Sequence, residues 1–193
     1  ETYGYRLDNT AISADRGDLR ECDLVIEAIV EDREIKAGLF KDLDTIINDR
    51  CIFASSTSSF KPALLCPSEQ RADNFAALHF FYPVQFSTLL EIMGCGDGSA
   101  GTVERLRKFG QEIGKNPLVL PEQGAFLLNK LASYVNNIAV WVYTEQVLTY
   151  KEIDELMKKH LFSMGSFEFA DSVGIDTIVA TTKVYMKDMD HAD

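Results

Sequence analysis

Two ionisable residues stand out because each is the lone polar member of an apolar run: His79 within NFAALHFF and Glu91 within TLLEIM. A carboxylate buried without a partner is costly, so Glu91 is expected to find one, and the histidine in a comparable setting is His79. A carboxylate on one imidazole nitrogen fixes the tautomer and leaves proton transfer to the other, which is the arrangement of a general base. The same pair is also a reasonable structural contact, and spacing does not separate the two readings. A run of hydroxyls, Ser55-Ser56-Thr57-Ser58-Ser59, follows the apolar segment CIFA. Hydroxyls at the carboxyl end of a strand can orient a carbonyl or alcohol, and they equally suit a polar loop closed by side-chain turns. Asn129 is the one amide in GAFLLNKLA and needs partners if buried, either a neighbouring helix or a ligand. Glu31 and Lys36 flank the end of the first clear strand; on composition alone both would be surface residues.

Positioning these groups falls to a strand-helix alternation. The near-continuous apolar run DLVIEAIV at 23–30 reads as a strand covered on both faces. Apolar residues Ile35, Leu39, Leu43 and Ile46-Ile47 then recur at helical spacing, with Asp32 as the cap. CIFAS at 51–55 is a second strand, and Lys61–Cys66 a short helix stopped by Pro67. Strands are expected at 74–81 and 88–93, a turn at GCGDGS, a helix at 101–115 and a short strand at 117–121. This is the pattern of an open α/β sheet. After Pro121 it gives way to helices: one long apolar-periodic segment at 124–150, a second near 151–160 and a third through 171–187. The boundary is placed there, with an α/β domain over 1–120 and an all-helical domain over 121–193. So many apolar residues in a small helical domain call for a partner surface, a second copy of the chain or the α/β part.

Composition narrows the function classes. The 193 residues are 46% hydrophobic and 25% charged, as in a globular protein. No run of about 18 apolar residues offers a membrane span. The net charge of −11 and the lack of a Lys/Arg cluster exclude a phosphate-backbone footprint, so neither nucleic acid nor an anionic membrane surface is expected. A small anionic ligand remains compatible, because backbone dipoles and one or two lysines can hold one. Cys22, Cys51, Cys66 and Cys95 contain no C-x-x-C pair, and with only three histidines no metal site is expected. Reduced cysteines fit a soluble protein of the cytoplasm or a mitochondrial matrix. The chain opens without Met or a signal-like segment, which reads as a processed or excised piece.

The segments DLVIEAIVED with Lys36, ASSTSS, ALHFFYPV, LLEIM, GAFLLNKL and MGSFEFADSVGID occur in one order, with His79 twelve residues before Glu91 and fifty before Asn129. That ordered set resembles the L-3-hydroxyacyl-CoA dehydrogenases, including the 3-hydroxybutyryl-CoA dehydrogenases, over about residues 20–188. The resemblance implies NAD-dependent oxidation of the 3-hydroxyl of an acyl-CoA in fatty-acid metabolism. It assigns His79 as general acid/base, Glu91 as its orienting partner, and Ser58 and Asn129 to the substrate oxygen and thioester. It places Glu31, Lys36, Ser58 and Tyr82 at the cofactor, and implies a homodimer formed through the helical domain.

This sequence departs from the family pattern in places. Ser56 and Tyr82 stand where the family has Asn, Gly124-Ala125 replaces Pro-Gly, and FSMGSF replaces HPMGPF. The family's opening G-x-G-x-x-G turn is not among these residues: Gly94, Gly96 and Gly98 follow a late strand instead. The resemblance thus implies a partial Rossmann-like (doubly wound) domain lacking its first strands, cut at both ends, with DLVIEAIV at an edge, weak NAD binding and slow turnover. Two other readings stay open: a β-hydroxyacid dehydrogenase of the same plan, and a non-catalytic structural or interaction relative.

Overall fold

The computed structural model describes residues 10–122, 126–162, 164–176 and 178–179. The chain divides into two compact units, residues 1–122 and 123–193.

The first unit is a five-stranded sheet in the order β1 (Leu24–Glu27), β2 (Ile52–Ser55), β3 (Phe75–Phe80), β4 (Leu89–Gly94) and β5 (Asn116–Leu120). Neighbours run parallel except β3 and β4, which are antiparallel. α1 (Arg33–Asp44) links β1 to β2, and α2 (Ala100–Glu112) links β4 to β5. Side chains alternate across a strand, and the core divides accordingly. Val25, Phe53 and Phe75 cluster with Phe40 and Leu43 of α1, while Ile52, Ala54, Ala76, Leu78, Leu90 and Ile92 cluster with Leu106 of α2. Phe40 lies 5.7 Å from the Phe53 ring and meets Phe75 edge-on at 4.7 Å. α2 comes close to the sheet because Gly110 has no side chain: a Cβ there would stand 2.7 Å from Leu90. These are the helix-covered faces of a doubly wound α/β sheet, with β1 at one edge.

β1 is half as long as the apolar run suggested. It ends at Glu27, whose carboxylate accepts the Ile29 N–H at 2.6 Å and bends the chain out of the sheet. Ile29 and Val30 are consequently exposed. Asp32 accepts the N–H groups of Glu34 and Ile35 and starts α1. The helix expected at 61–66 is a single 3-10 turn, Pro62–Leu64.

The second unit is helical: α3 (Leu127–Thr144), α4 (Tyr150–His160) and α5 (Ser166–Val173). The long helix expected over 124–150 stops at Thr144, and Gln146 takes a positive φ of 56°. Thr149 and Glu152 then form a reciprocal capping box that opens α4. The third helix begins earlier than expected. Asp154 of α4 accepts the N–H groups of Phe167 and Glu168 at 2.9 and 3.0 Å, fixing the start of α5, and Gly174 at φ 96° ends it. Residues 177 and 180–187 of the expected helix lie outside the described residues. The small core of Ala139, Ile153 and Met157 buries one residue of α3, Ala139. Among the described residues no helix is long and apolar enough to cross a membrane.

Arg71 ties the turn before β2 to the segment before β3. It is 3% exposed, and its guanidinium donates to Asp44 at 2.7 Å and to the carbonyls of Asn48, Cys51 and Ile47 at 3.0, 3.2 and 3.4 Å. It also lies over the Phe53 ring at 4.5 Å. Arg71→Leu orphans these acceptors and should lower unfolding stability by about 3 kcal/mol. Arg71→Lys should recover little, since an ammonium lacks the planar fork. Urea denaturation of the three chains checks this; an Arg71→Leu midpoint equal to the parent's would refute it.

Candidate active site

The carboxyl ends of β1, β2 and β3 lie at one end of the sheet, because these strands are parallel. Glu27 pairs in register with Ser55, and Ser55 with Ala77. His79 is two residues beyond Ala77 and therefore on the same face, the one covered by α1. The carboxyl end of an open α/β sheet is where such folds bind ligands.

β4 enters this end antiparallel to β3, which sets Glu91 directly opposite His79. His79 Nδ1 and Glu91 Oε2 are 3.0 Å apart. Glu91 has no exposure to solvent and His79 is 5% exposed. The imidazole also rests against Phe81, with ring centroids 4.4 Å apart. Both groups are dry, so the carboxylate's interaction with the ring is little screened.

A second cluster lies at the ends of β1 and β2. Lys36 is at one end of the buried stripe Lys36, Phe40, Leu43 of α1 and points into the protein, with its side chain 1% exposed. Its ammonium reaches Glu27 Oε1 at 2.7 Å, Glu31 Oε2 at 3.2 Å and the Ile29 carbonyl at 3.4 Å. Those three acceptors match its three N–H donors. Lys36 therefore presents no exposed charge to a ligand, unlike a surface lysine; it is inside because the residues four and seven further along its helix are core. Glu31 is the member that faces outward, with its side chain 37% exposed. Its Oε1 accepts the Thr57 hydroxyl at 2.6 Å, the Ser58 N–H at 2.9 Å and the Ser58 hydroxyl at 3.4 Å. Thr57 Oγ1 in turn accepts the Ser59 and Phe60 N–H groups, so the hydroxyl run is a tight turn held from within.

The structure thus brings His79 to Glu91, and Lys36 through Glu31 to Ser58. Tyr82 is 78% exposed in the loop between β3 and β4. Lys115 anchors that loop by donating to the carbonyls of Val84 and Ser87. Asn129 is in the first turns of α3, in the second unit. Sequence reasoning passed over Glu27, 4% exposed and bonded to Lys36, Ser55 and Ile29. The signal was available: a single carboxylate inside an apolar run, the feature that marks Glu91.

Residues 1–123 match the family model for the NAD binding domain of 3-hydroxyacyl-CoA dehydrogenase, and residues 126–192 match its C-terminal domain. The mitochondrial hydroxyacyl-coenzyme A dehydrogenase of Sus scrofa is 39% identical over 156 residues, 80% of this chain and 50% of that protein. The 3-hydroxybutyryl-CoA dehydrogenase of Clostridioides difficile is 32% identical over 92% of this chain and 64% of its own length. The crystal structure of (S)-3-hydroxybutyryl-CoA dehydrogenase from Ralstonia eutropha superposes with a TM-score of 0.82 at 32% identity, covering 91% of this chain and 62% of that one. The chain spans between half and two thirds of the length of these relatives. With both domain models matched in sequence order, it belongs to the 3-hydroxyacyl-CoA dehydrogenase family.

Proposed function

We propose that this chain carries the proton-transfer pair and the nicotinamide-side residues of an NAD-dependent L-3-hydroxyacyl-CoA dehydrogenase. The observation that carries the reading is the buried 3.0 Å contact between His79 Nδ1 and Glu91 Oε2 at the carboxyl end of the sheet.

The exposed polar groups suit one half of the cofactor. Glu31 is an acceptor, and the Ser58 hydroxyl can give or take a hydrogen bond. Such groups fit the carboxamide and ribose hydroxyls of a nicotinamide riboside and disfavour a phosphate. The N-terminus of α1 is occupied, since Asp32 takes the N–H groups there. We therefore assign Glu31 and Ser58 to the nicotinamide side, with Tyr82 at the rim and Lys36 as the support of Glu31. When bound, NAD supplies the hydride acceptor.

His79 acts as the base. Glu91 engages Nδ1, so Nε2 takes the proton from the 3-hydroxyl as hydride leaves C3, and in reverse returns it to the 3-keto oxygen. Glu91 holds the tautomer and offsets the charge of the imidazolium as it forms, a stabilisation enlarged by the absence of water around it. Ser58 and Asn129 are assigned to hydrogen bonds with the substrate oxygen and thioester.

The helical unit is proposed to pair with a second copy. Leu131, Tyr134, Ile138 and Trp141 recur at spacings of three and four along α3 and are 47–61% exposed. A stripe of that size left in water is the mark of an interface.

Turnover is followed as NADH oxidation with acetoacetyl-CoA. His79→Gln should lower kcat about 10²- to 10⁴-fold, the contribution of a positioned acid/base, with NADH affinity unchanged. Equal kcat in the two chains would rule out the base assignment. In sedimentation velocity the parent chain should run as a dimer and the Ile138→Asp, Trp141→Asp chain as a monomer; a monomeric parent would overturn the pairing.

A further inference from the structure

We infer that Glu27, whose side chain has no exposed surface to offer a ligand, is a positioning residue of this site: it fixes Lys36, Lys36 fixes Glu31, and Glu31 fixes the Ser58 turn. The inference deepens the dehydrogenase reading and rests on it.

Glu27 closes β1 with its side chain out of reach of water. A carboxylate there must be satisfied internally, and this one is satisfied on both oxygens. Oε1 accepts the Ile29 N–H at 2.6 Å and the Lys36 ammonium at 2.7 Å; Oε2 accepts the Ser55 hydroxyl at 2.6 Å. Ser55 Oγ then accepts the Thr57 N–H at 3.3 Å. Glu27 therefore reaches the hydroxyl turn by two routes, through Ser55 directly and through the ion pairs.

The ionic route is directional. Lys36 sits between two carboxylates, closer to Glu27 at 2.7 Å than to Glu31 at 3.2 Å. Glu31 divides its oxygens, Oε2 toward the ammonium and Oε1 toward Thr57 and Ser58. Removing the charge of Glu27 leaves Lys36 one carboxylate to pair with. The ammonium then draws Glu31 inward, and the bonds from Oε1 to the Ser58 turn lengthen. Glu27 cannot itself touch the reacting atoms. β1 is two strands from β3, about 10 Å at the usual strand spacing. Its influence on the site passes through Lys36 and Glu31, and through Ser55 to Thr57.

A merely structural Glu27 would alter global stability and nothing else. The test reads Ser58 directly: amide exchange over residues 55–60 in the chain, with the N–H groups of β4 as the global reference. Glu27→Gln keeps the shape and removes the charge. It should speed exchange at Ser58 about tenfold relative to β4 and weaken NADH binding, read by fluorescence titration, by a similar factor, as expected for loss of a charged hydrogen-bond partner. In a Glu31→Gln background the same change should have little further effect on NADH affinity, because Glu27→Gln keeps an oxygen for the Ser55 hydroxyl and removes only the ionic route, which runs through Glu31. Glu27→Asp keeps the charge and shortens the reach; it should loosen Ser58 to an intermediate degree and serves if the Gln chain does not fold. Ser58 exchange that moves only in step with β4, or effects of Glu27 and Glu31 that simply add, would overturn the positioning role. Failure of the parent chain to bind NADH would bear on the dehydrogenase reading alone; the exchange measurement needs no NADH and still decides the positioning role.

Discussion

A carboxylate with no access to water can exist in a folded protein only where its partner is fixed beforehand, and in this chain the register between β3 and β4 does the fixing. His79 and Glu91 face each other because the strands are antiparallel and paired at that rung. A slip of one residue would turn Glu91 into the face filled by Leu78, Leu90 and Ile92 and bring an apolar side chain opposite the imidazole. The parallel partners outside the pair hold this register: β2 sets Ser55 against Ala77, and β5 sets Leu118 against Glu91. Misregister therefore costs both core faces at once, as well as stranding a buried charge.

The second cluster obeys the same rule with the signs reversed. Lys36 is a cation inside the protein, and the helix that carries it cannot avoid burying it: Lys36, Phe40 and Leu43 share one stripe, and the two hydrophobic members fill the core beneath β2 and β3. The carboxylate at the end of β1 and the outward-facing Glu31 are what make that burial tolerable. Both clusters belong to one end of the sheet, so the charges that the fold is compelled to pair also gather at the carboxyl ends of the parallel strands, the end at which open α/β sheets bind ligands.

Much of this was legible in the sequence because the rules involved are local. The apolar runs located all five strands, the 3.6-residue period located α1, α2 and α3, and the isolation of His79 and Glu91 in apolar surroundings exposed their pairing. Where local rules compete with side-chain chemistry, the reading slipped. DLVIEAIV reads as eight strand residues, yet four are in β1, because Glu27 captures the Ile29 N–H that in a longer strand would face β2. α5 starts five residues before the expected helix because its cap, Asp154, comes from another helix and leaves no mark in the adjacent sequence. Lys36 looked like a surface residue because a lysine at a helical position usually is one; its depth shows only when its stripe is traced forward to Phe40 and Leu43.

The acidic balance of the chain acquires a sharper meaning at the site. A net charge of −11 excluded polyanions but left small anionic ligands open. The groups assembled around Ser58 divide that remainder further. Lys36 is spent internally, Asp32 closes the α1 N-terminus, and Glu31 faces outward. A ligand fragment docking here gains from bringing hydrogen-bond donors and loses by bringing negative charge. On the proposed reading, recognition at this end of the sheet would work by complementing an acceptor, and the charged parts of a dinucleotide or a coenzyme A thioester would gain nothing from it. On that reading, such a site would favour the neutral, reacting end of each ligand.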